Sequence, residues 1–201
     1  ALAVLFVVLG ISFKIRESVS LLIIGMMFGS ITGAFVSILQ NYSNPDAIKL
    51  FIVWTFGSLS AVTWSQLQIM IPLLSVGLLL AFSLQKNLNS LLLGENYAKG
   101  LGISILRSRL FVILATGILA GASTAFTGPI GFIGIAVPHL ARGIFQTSDH
   151  KVILPASIAC GASLLLLCDI VSQISAYAIP INAVSALFGA PLIIYIILRK
   201  R

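Results

Sequence analysis

The sequence predicts an all-α fold, a polytopic transmembrane helical bundle of about seven spans, forming one domain over residues 1–201. Three observations carry this reading. The chain is 59% apolar and only 8% charged, where soluble domains hold about 25% charged residues. Its mean hydropathy is +1.12. Its apolar residues fall in long, unalternating runs, unlike the alternating segments of roughly ten residues in a membrane β-barrel. A soluble globular enzyme is excluded, and so is a disordered chain, which needs low hydrophobicity and high charge.

In chain order the runs are Ala1–Phe13, Val19–Leu39, Leu67–Leu84, Leu110–Phe126, Ile130–Phe145, Val152–Tyr177 and Ile179–Leu198. The first would rise only about 20 Å as a helix, short of the roughly 30 Å hydrocarbon core. Neither a basic start nor a small-residue cleavage site marks it as a signal peptide. It is therefore expected to be the remainder of a span in a longer chain. The stretch Ile48–Val62 has 15 residues with Lys49 at its head, which suits an interfacial or re-entrant helix better than a crossing. Gly128-Pro129 divides two runs that would otherwise fuse, because proline lacks a donor and glycine permits a turn. Cys160 and Cys168 share one run. Eight residues of helix separate them by about 12 Å, too far for a disulfide, so they read as small buried hydrophobes.

Charge tests this parsing. The net charge of +7 arises from 12 Lys+Arg against 5 Asp+Glu. In a membrane protein such a balance reports loop topology and not nucleic-acid binding. With Gly128-Pro129 as a hairpin turn and Ile48–Val62 non-spanning, one side collects Lys14, Arg16, Lys86, Lys99, Arg107, Arg109, Arg142, Lys151, Arg199, Lys200 and Arg201. Only Lys49 falls opposite, a split of 11 to 1. Fusing Leu110–Phe145 into one span gives 6 to 6, and letting Ile48–Val62 cross gives 10 to 2. The basic side is cytoplasmic, which places the C-terminus there.

Gly25, Gly29 and Gly33 form two overlapping GxxxG steps, and Gly117 and Gly121 a third. Such a face lets a second helix approach closely, as ordinary packing, a subunit interface or a pathway wall. The loop 86–109 is the longest basic-side connection. In it Asn89 or Ser90 can cap a short helix that Gly94 stops; Glu95 starts a second, which Gly100 or Gly102 ends. A carboxylate at Glu95 would also complement the dipole of that second helix. Leu92, Leu93 and Leu101 are apolar positions that suit either a docking surface for a soluble partner or an interfacial helix on lipid headgroups. His139 and Asp169 are the ionisable residues within spans, and such residues are functional candidates. Neither has an obvious intramembrane partner in the sequence. The chain has no GxxxxGK[ST], HExxH or GxSxG, so the motifs for a P-loop nucleotide site, a zinc protease and a serine hydrolase are missing.

Five short motifs then occur in order. They are Gly94-Glu95…Ala98…Leu101-Gly102; Gly128-Pro129-Ile130-Gly131-Phe132; Val137-Pro138-His139…Arg142; Asp149-His150-Lys151…Leu154-Pro155; and Gly189-Ala190-Pro191. Together they resemble the FecCD-type permease family, the membrane subunits of ABC importers for iron–siderophore complexes, haem and cobalamin. The resemblance runs from about Phe51 to the C-terminus and more loosely back to Ala1. It implies a ten-span subunit of the cell's inner membrane, paired as a homodimer about a two-fold axis. Two cytoplasmic ATPase subunits would bind the ATP, and an external binding protein would deliver the substrate.

On this resemblance the chain is a transport subunit with no catalytic residues, metal or cofactor of its own. Residues 86–109 would be the coupling loop, through Leu92, Leu93, Gly94, Glu95, Ala98, Leu101 and Gly102, and Ile48–Val62 the short helix near the outer gate. About three spans would precede Ala1. The sequence departs from the family at Asn96, where a Glu is frequent, at Gln173 (often Arg) and at Ala178 (often Glu). Thr127 and Asn182 replace common small residues. The alternative reading is a membrane-embedded enzyme or a secondary transporter using His139 or Asp169, although the inverted repeat of the latter is not evident.

The charge split makes a direct prediction about sidedness. A single cysteine placed at Tyr97 should resist a membrane-impermeant thiol reagent in intact cells, while one at Asn44 should react. The opposite labelling pattern would overturn the topology.

Overall fold

The computed structural model describes residue 10 and residues 18–174 and 179–199. The run Ala1–Phe13, the cations Lys14, Arg16, Lys200 and Arg201, and Ala178 therefore lie outside the described residues, apart from Gly10. The helices are α1 (Ser18–Asn41), α2 (Pro45–Thr55), α3 (Trp64–Ser83), α4 (Gln85–Leu92), α5 (Glu95–Gly100), α6 (Ile105–Thr127), α7 (Ile133–Phe145), α8 (His150–Ile174) and α9 (Ile181–Arg199).

Among the described residues four stretches are long and apolar enough to cross a membrane: Leu22–Asn41, Trp64–Ser83, Ile105–Thr127 and His150–Ile174. The expected crossing at Ile130–Phe145 forms a helix of only 13 residues, about 20 Å long. Its entry, Pro129 to Phe132, is not helical. The expected count of seven full spans is therefore not reached among the described helices. The 11-residue α2, about 16 Å, is too short to cross, as its length in the sequence suggested.

Local chemistry sets several boundaries. Thr63 and Gln66 form a reciprocal capping box at the start of α3, which satisfies two otherwise orphaned donors. Asp149 Oδ1 accepts from Lys151 N at 2.9 Å and so caps α8. The end of α5 is a Schellman closure: Ile103 N donates to Ala98 O at 3.0 Å and Gly102 N to Lys99 O at 2.9 Å. Gly102, at φ +77°, supplies the left-handed residue this needs.

Helix packing falls into two groups. In one, α3 lies along α6; in the other, α7, α8 and α9 pack mutually. Small residues dominate the buried core, with Ala98, Ala115, Ala122, Ala136, Ala141 and Ala156 all below the surface, as expected where helices associate without a hydrophobic drive. Large side chains such as Leu22, Phe35, Leu79 and Leu166 point outward. The closest approach of α3 and α6 is at the buried Gly77. A Cβ there would sit 2.7 Å from Leu119 Cδ2. By contrast, Gly25, Gly29 and Gly33 on α1 face open space, with nothing within 4 Å of an added Cβ.

Outside these groups, the break between α6 and α7 is where backbone meets backbone. Gly128 stands at φ +78°, and a Cβ on it would fall 2.3 Å from the Trp54 carbonyl and 3.0 Å from Gly57 Cα. Gly128→Ala should therefore lower stability by about 1–3 kcal/mol from backbone conformation alone, with the overlap in addition. Gly77→Ala should cost less, because Leu119 can rotate away. Thermal unfolding in detergent should rank the two variants in that order.

Candidate functional site

The loop 86–109 folds as two short helices around an elbow. Helix α4 begins at Gln85, earlier than a cap at Asn89 or Ser90 would place it. Leu84 is its N-cap, with no side-chain cap bond. Ser90 Oγ instead donates back to Lys86 O at 3.0 Å, and Asn89 is free to make tertiary bonds. Gly94, at φ +104°, closes α4 through Gly94 N to Leu91 O at 3.1 Å and is the N-cap of α5. Only glycine adopts that backbone at little cost, so the elbow depends on residue 94 as expected.

The elbow presents Leu92, Leu93, Tyr97 and Leu101, each more than half exposed, while Ala98 is completely buried. Ala98 thus anchors α5, and the four larger side chains form an apolar surface at one end of the bundle. Glu95 does not project freely. Its Oε1 accepts from Arg109 Nη2 at 3.0 Å. An exposed pair of this kind contributes little stability; it joins α5 to α6. The expected role of Glu95 at the dipole of α5 stands beside this intrachain pairing.

Two asparagines hold α4. Asn87 Nδ2 donates to Ser108 Oγ on α6 at 3.0 Å. Asn89 Nδ2 donates to Asp149 Oδ1 at 2.6 Å, and Asn89 Oδ1 accepts from His150 N at 2.8 Å. The ring Nδ1 of His150 lies 2.7 Å from the same Oδ1. The hydrogen bonds from Lys151 N and Asn89 hold the Asp149 carboxyl below the usual carboxylate range.

At the other end, a second junction gathers three breaks in the helices. Ser58 N donates to Thr127 O at 2.9 Å, and Asn182 N to Phe56 O at 3.2 Å. Asn182 Oδ1 accepts from Gly131 N at 3.1 Å. Phe132, in a left-handed conformation at φ +58°, lies against Gly189, where an added Cβ would be 3.0 Å from Phe132 Cβ. Gly128 and Gly131 from one motif and Gly189 from another thus meet in one place. So do Thr127 and Asn182, two of the departures from the family pattern.

The FecCD transport family model matches residues 1–199. The chain belongs to the FecCD transport family. It is 37% identical over 203 residues to the vitamin B12 import system permease protein BtuC of Klebsiella pneumoniae, covering 100% of this chain and 61% of that protein. It is 34% identical over 183 residues to the hemin transport system permease protein HmuU of Yersinia pestis, covering 90% and 54%. A solved inward-facing structure, of a transporter assigned to the metal-chelate ABC type, superposes with a TM-score of 0.88 at 32% identity. The match covers 98% of this chain and 64% of that one. The FecCD chain described here thus spans about three fifths of the length of these relatives.

The remaining family-motif residues scatter. Pro138, His139 and Arg142 lie on α7, Pro155 on α8 and Pro191 on α9. His139 and Asp169 occupy different helices, α7 and α8, and Asp169 has a partner that the sequence reading missed. Gln173 Nε2 donates to Asp169 Oδ2 at 2.7 Å. The i,i+4 spacing was the available signal. Among the described residues no group of three metal-ligating side chains occurs.

The depressed Asp149 pKa makes a pH prediction with a definite sign. A carboxyl whose folded pKa lies below its unfolded one contributes stability above the ordinary carboxylate range. That contribution is lost as pH falls through the folded value. Carbon-13 NMR of labelled aspartate in micelles should place the Asp149 midpoint below that of a free aspartate, and Asn89→Ala should move it back upward. A midpoint unaffected by Asn89→Ala would break the assignment of that hydrogen bond.

Proposed function

We propose that this chain is the membrane-spanning permease part of an ATP-driven importer for cobalamin, haem or another metal chelate. The carrying observation is the Gly94 elbow. It is a surface of Leu92, Leu93, Tyr97 and Leu101, held to α6 and α8 by polar side chains, at the most basic loop of a FecCD family member. An apolar surface outside the bilayer needs a partner, and we assign it to a cytoplasmic ATPase subunit that binds the ATP. The chain itself carries out no covalent chemistry.

The mechanism is alternating access by rigid-body tilting of helices. Closure of the ATPase pair moves the elbow, and its polar ties pass the movement to the membrane helices. The half-length α7 keeps its place as a crossing in this scheme, joined to the non-helical stretch 129–132, so that seven crossings and a cytoplasmic C-terminus remain our topology. The open face of Gly25, Gly29 and Gly33 suits a pathway wall or the contact with a second copy in a homodimer. The junction at Gly57, Gly128 and Asn182 lies at the outer end, with α2 beside the gate, where an external binding protein would dock.

Gly94→Val tests the elbow, because a β-branched residue strongly disfavours φ > 0. The variant should insert normally, since the loop lies outside the bilayer. Uptake by reconstituted liposomes should fall by about tenfold, the scale of a typical coupling free energy. Stimulation of ATP hydrolysis by the loaded binding protein should fall with it. Full uptake and stimulation by an assembled Gly94→Val complex would return the loop to the lipid-surface reading.

A further inference from the structure

Helix α4 touches both packing groups, lying against α3 and α8. Two asparagines extend this contact. Asn87 and Asn89 are two residues apart, about 200° around a helix, so their side chains leave opposite flanks. One reaches Ser108 on α6. The other reaches Asp149 and His150 at the head of α8. Asparagine is a poor helix former. Its presence inside an eight-residue helix is explained by these tertiary bonds and not by local stability.

The Asn89 amide has one consistent orientation. The ionised Asp149 carboxylate can only accept, so it takes the NH₂ group and turns Oδ1 towards His150. Oδ1 then accepts from His150 N and from Nδ1–H. One neutral tautomer and the imidazolium both carry a proton on Nδ1, so the bond survives titration of the ring. The bond to the carboxylate is charge-assisted and correspondingly strong. A single side chain thus links positions 60 and 61 residues away.

We infer that Asn89 is a positioning residue that locks α4 to the head of α8. Displacement of the elbow is then delivered to the α7–α8–α9 group together with the α3–α6 pair. This rests on the reading of the elbow as the coupling element. Without the lock, α4 would still be bonded to α6 through Asn87, and movement would reach only one group.

Asn89→Asp tests the lock by setting a second carboxylate against Asp149 where a donor stood 2.6 Å away. Adding Asp149→Asn restores a donor–acceptor pair across the same gap. The complete permease carrying these changes is reconstituted in liposomes with its ATPase and binding protein, and ATPase retention is checked by co-purification. For Asn89→Asp, the stimulated-to-basal ratio of ATP hydrolysis and the substrate imported per ATP should both fall about tenfold, within the range reported for disrupting coupling networks. The double variant should recover at least half of both. Asn89→Ala, which removes the bonds without repulsion, should show the same loss and gain nothing from Asp149→Asn.

Wild-type stimulation and uptake in an assembled Asn89→Asp complex would overturn the proposal. So would a loss that the second substitution fails to repair. If neither Asn89→Asp nor Asn89→Ala assembles, Asn89 serves folding and the proposal falls. Gly94→Val, run in parallel, separates the two ideas. Loss in Gly94→Val with full function in Asn89→Asp removes only the lock, whereas full function in both removes the coupling reading itself.

Discussion

A lipid interior offers no water to an unpaired N–H or C=O, so each interruption of a membrane helix must be satisfied by protein. Much of the architecture follows from this constraint. Among the described residues the helices are interrupted at 56–63, 128–132 and 179–180, and the first two interruptions bond to the ends of neighbouring helices. Thr127 O takes the Ser58 amide and Phe56 O the Asn182 amide, while the Asn182 side chain takes that of Gly131. The Ile179 carbonyl accepts from Ser172 Oγ on the preceding α8. The glycine at 128 exists because two backbones cross there at a distance no side chain would allow.

The end that carries the elbow is built from different materials. There backbone satisfaction is local, through the Asp149 cap and the Schellman closure. Tertiary contact is carried by side chains instead: the Glu95–Arg109 pair, Asn87 with Ser108, and Asn89 with Asp149 and His150. The Gly128 junction is built largely from main chain, with the Asn182 side chain, and is intolerant of substitution at Gly128 by its geometry. The elbow's network is built from polar side chains, most of them exposed.

Much of this was legible in the residues. Hydropathy located α1, α3, α6 and α8, and the short length of Ile48–Val62 marked α2 as non-spanning. Gly94 and Gly102 fell where left-handed backbone was needed, and Gly128 where the chain turned. The reading went astray where tertiary bonds replaced local ones. Asn89 looks like a cap because asparagine usually is one, but its partners lie 60 residues on, beyond any local rule. The 130–145 run reads as a full span by hydropathy, although its first residues are held out of helical conformation by contacts with α9. Asp169 seemed alone because its partner, Gln173, is uncharged and was weighed only as a departure from a family pattern.

The elbow has a further consequence for the life of the subunit in the cell. Leu92, Leu93, Tyr97 and Leu101 are more than half exposed on the chain. If the loop lies in water as proposed, they form an adhesive surface until a partner covers them. Chaperones and proteases recognise such surfaces, and marginal exposure changes protein abundance. On the proposed coupling role, the same side chains would also distinguish a complete assembly from an orphaned copy, whose uncovered surface would mark it for removal.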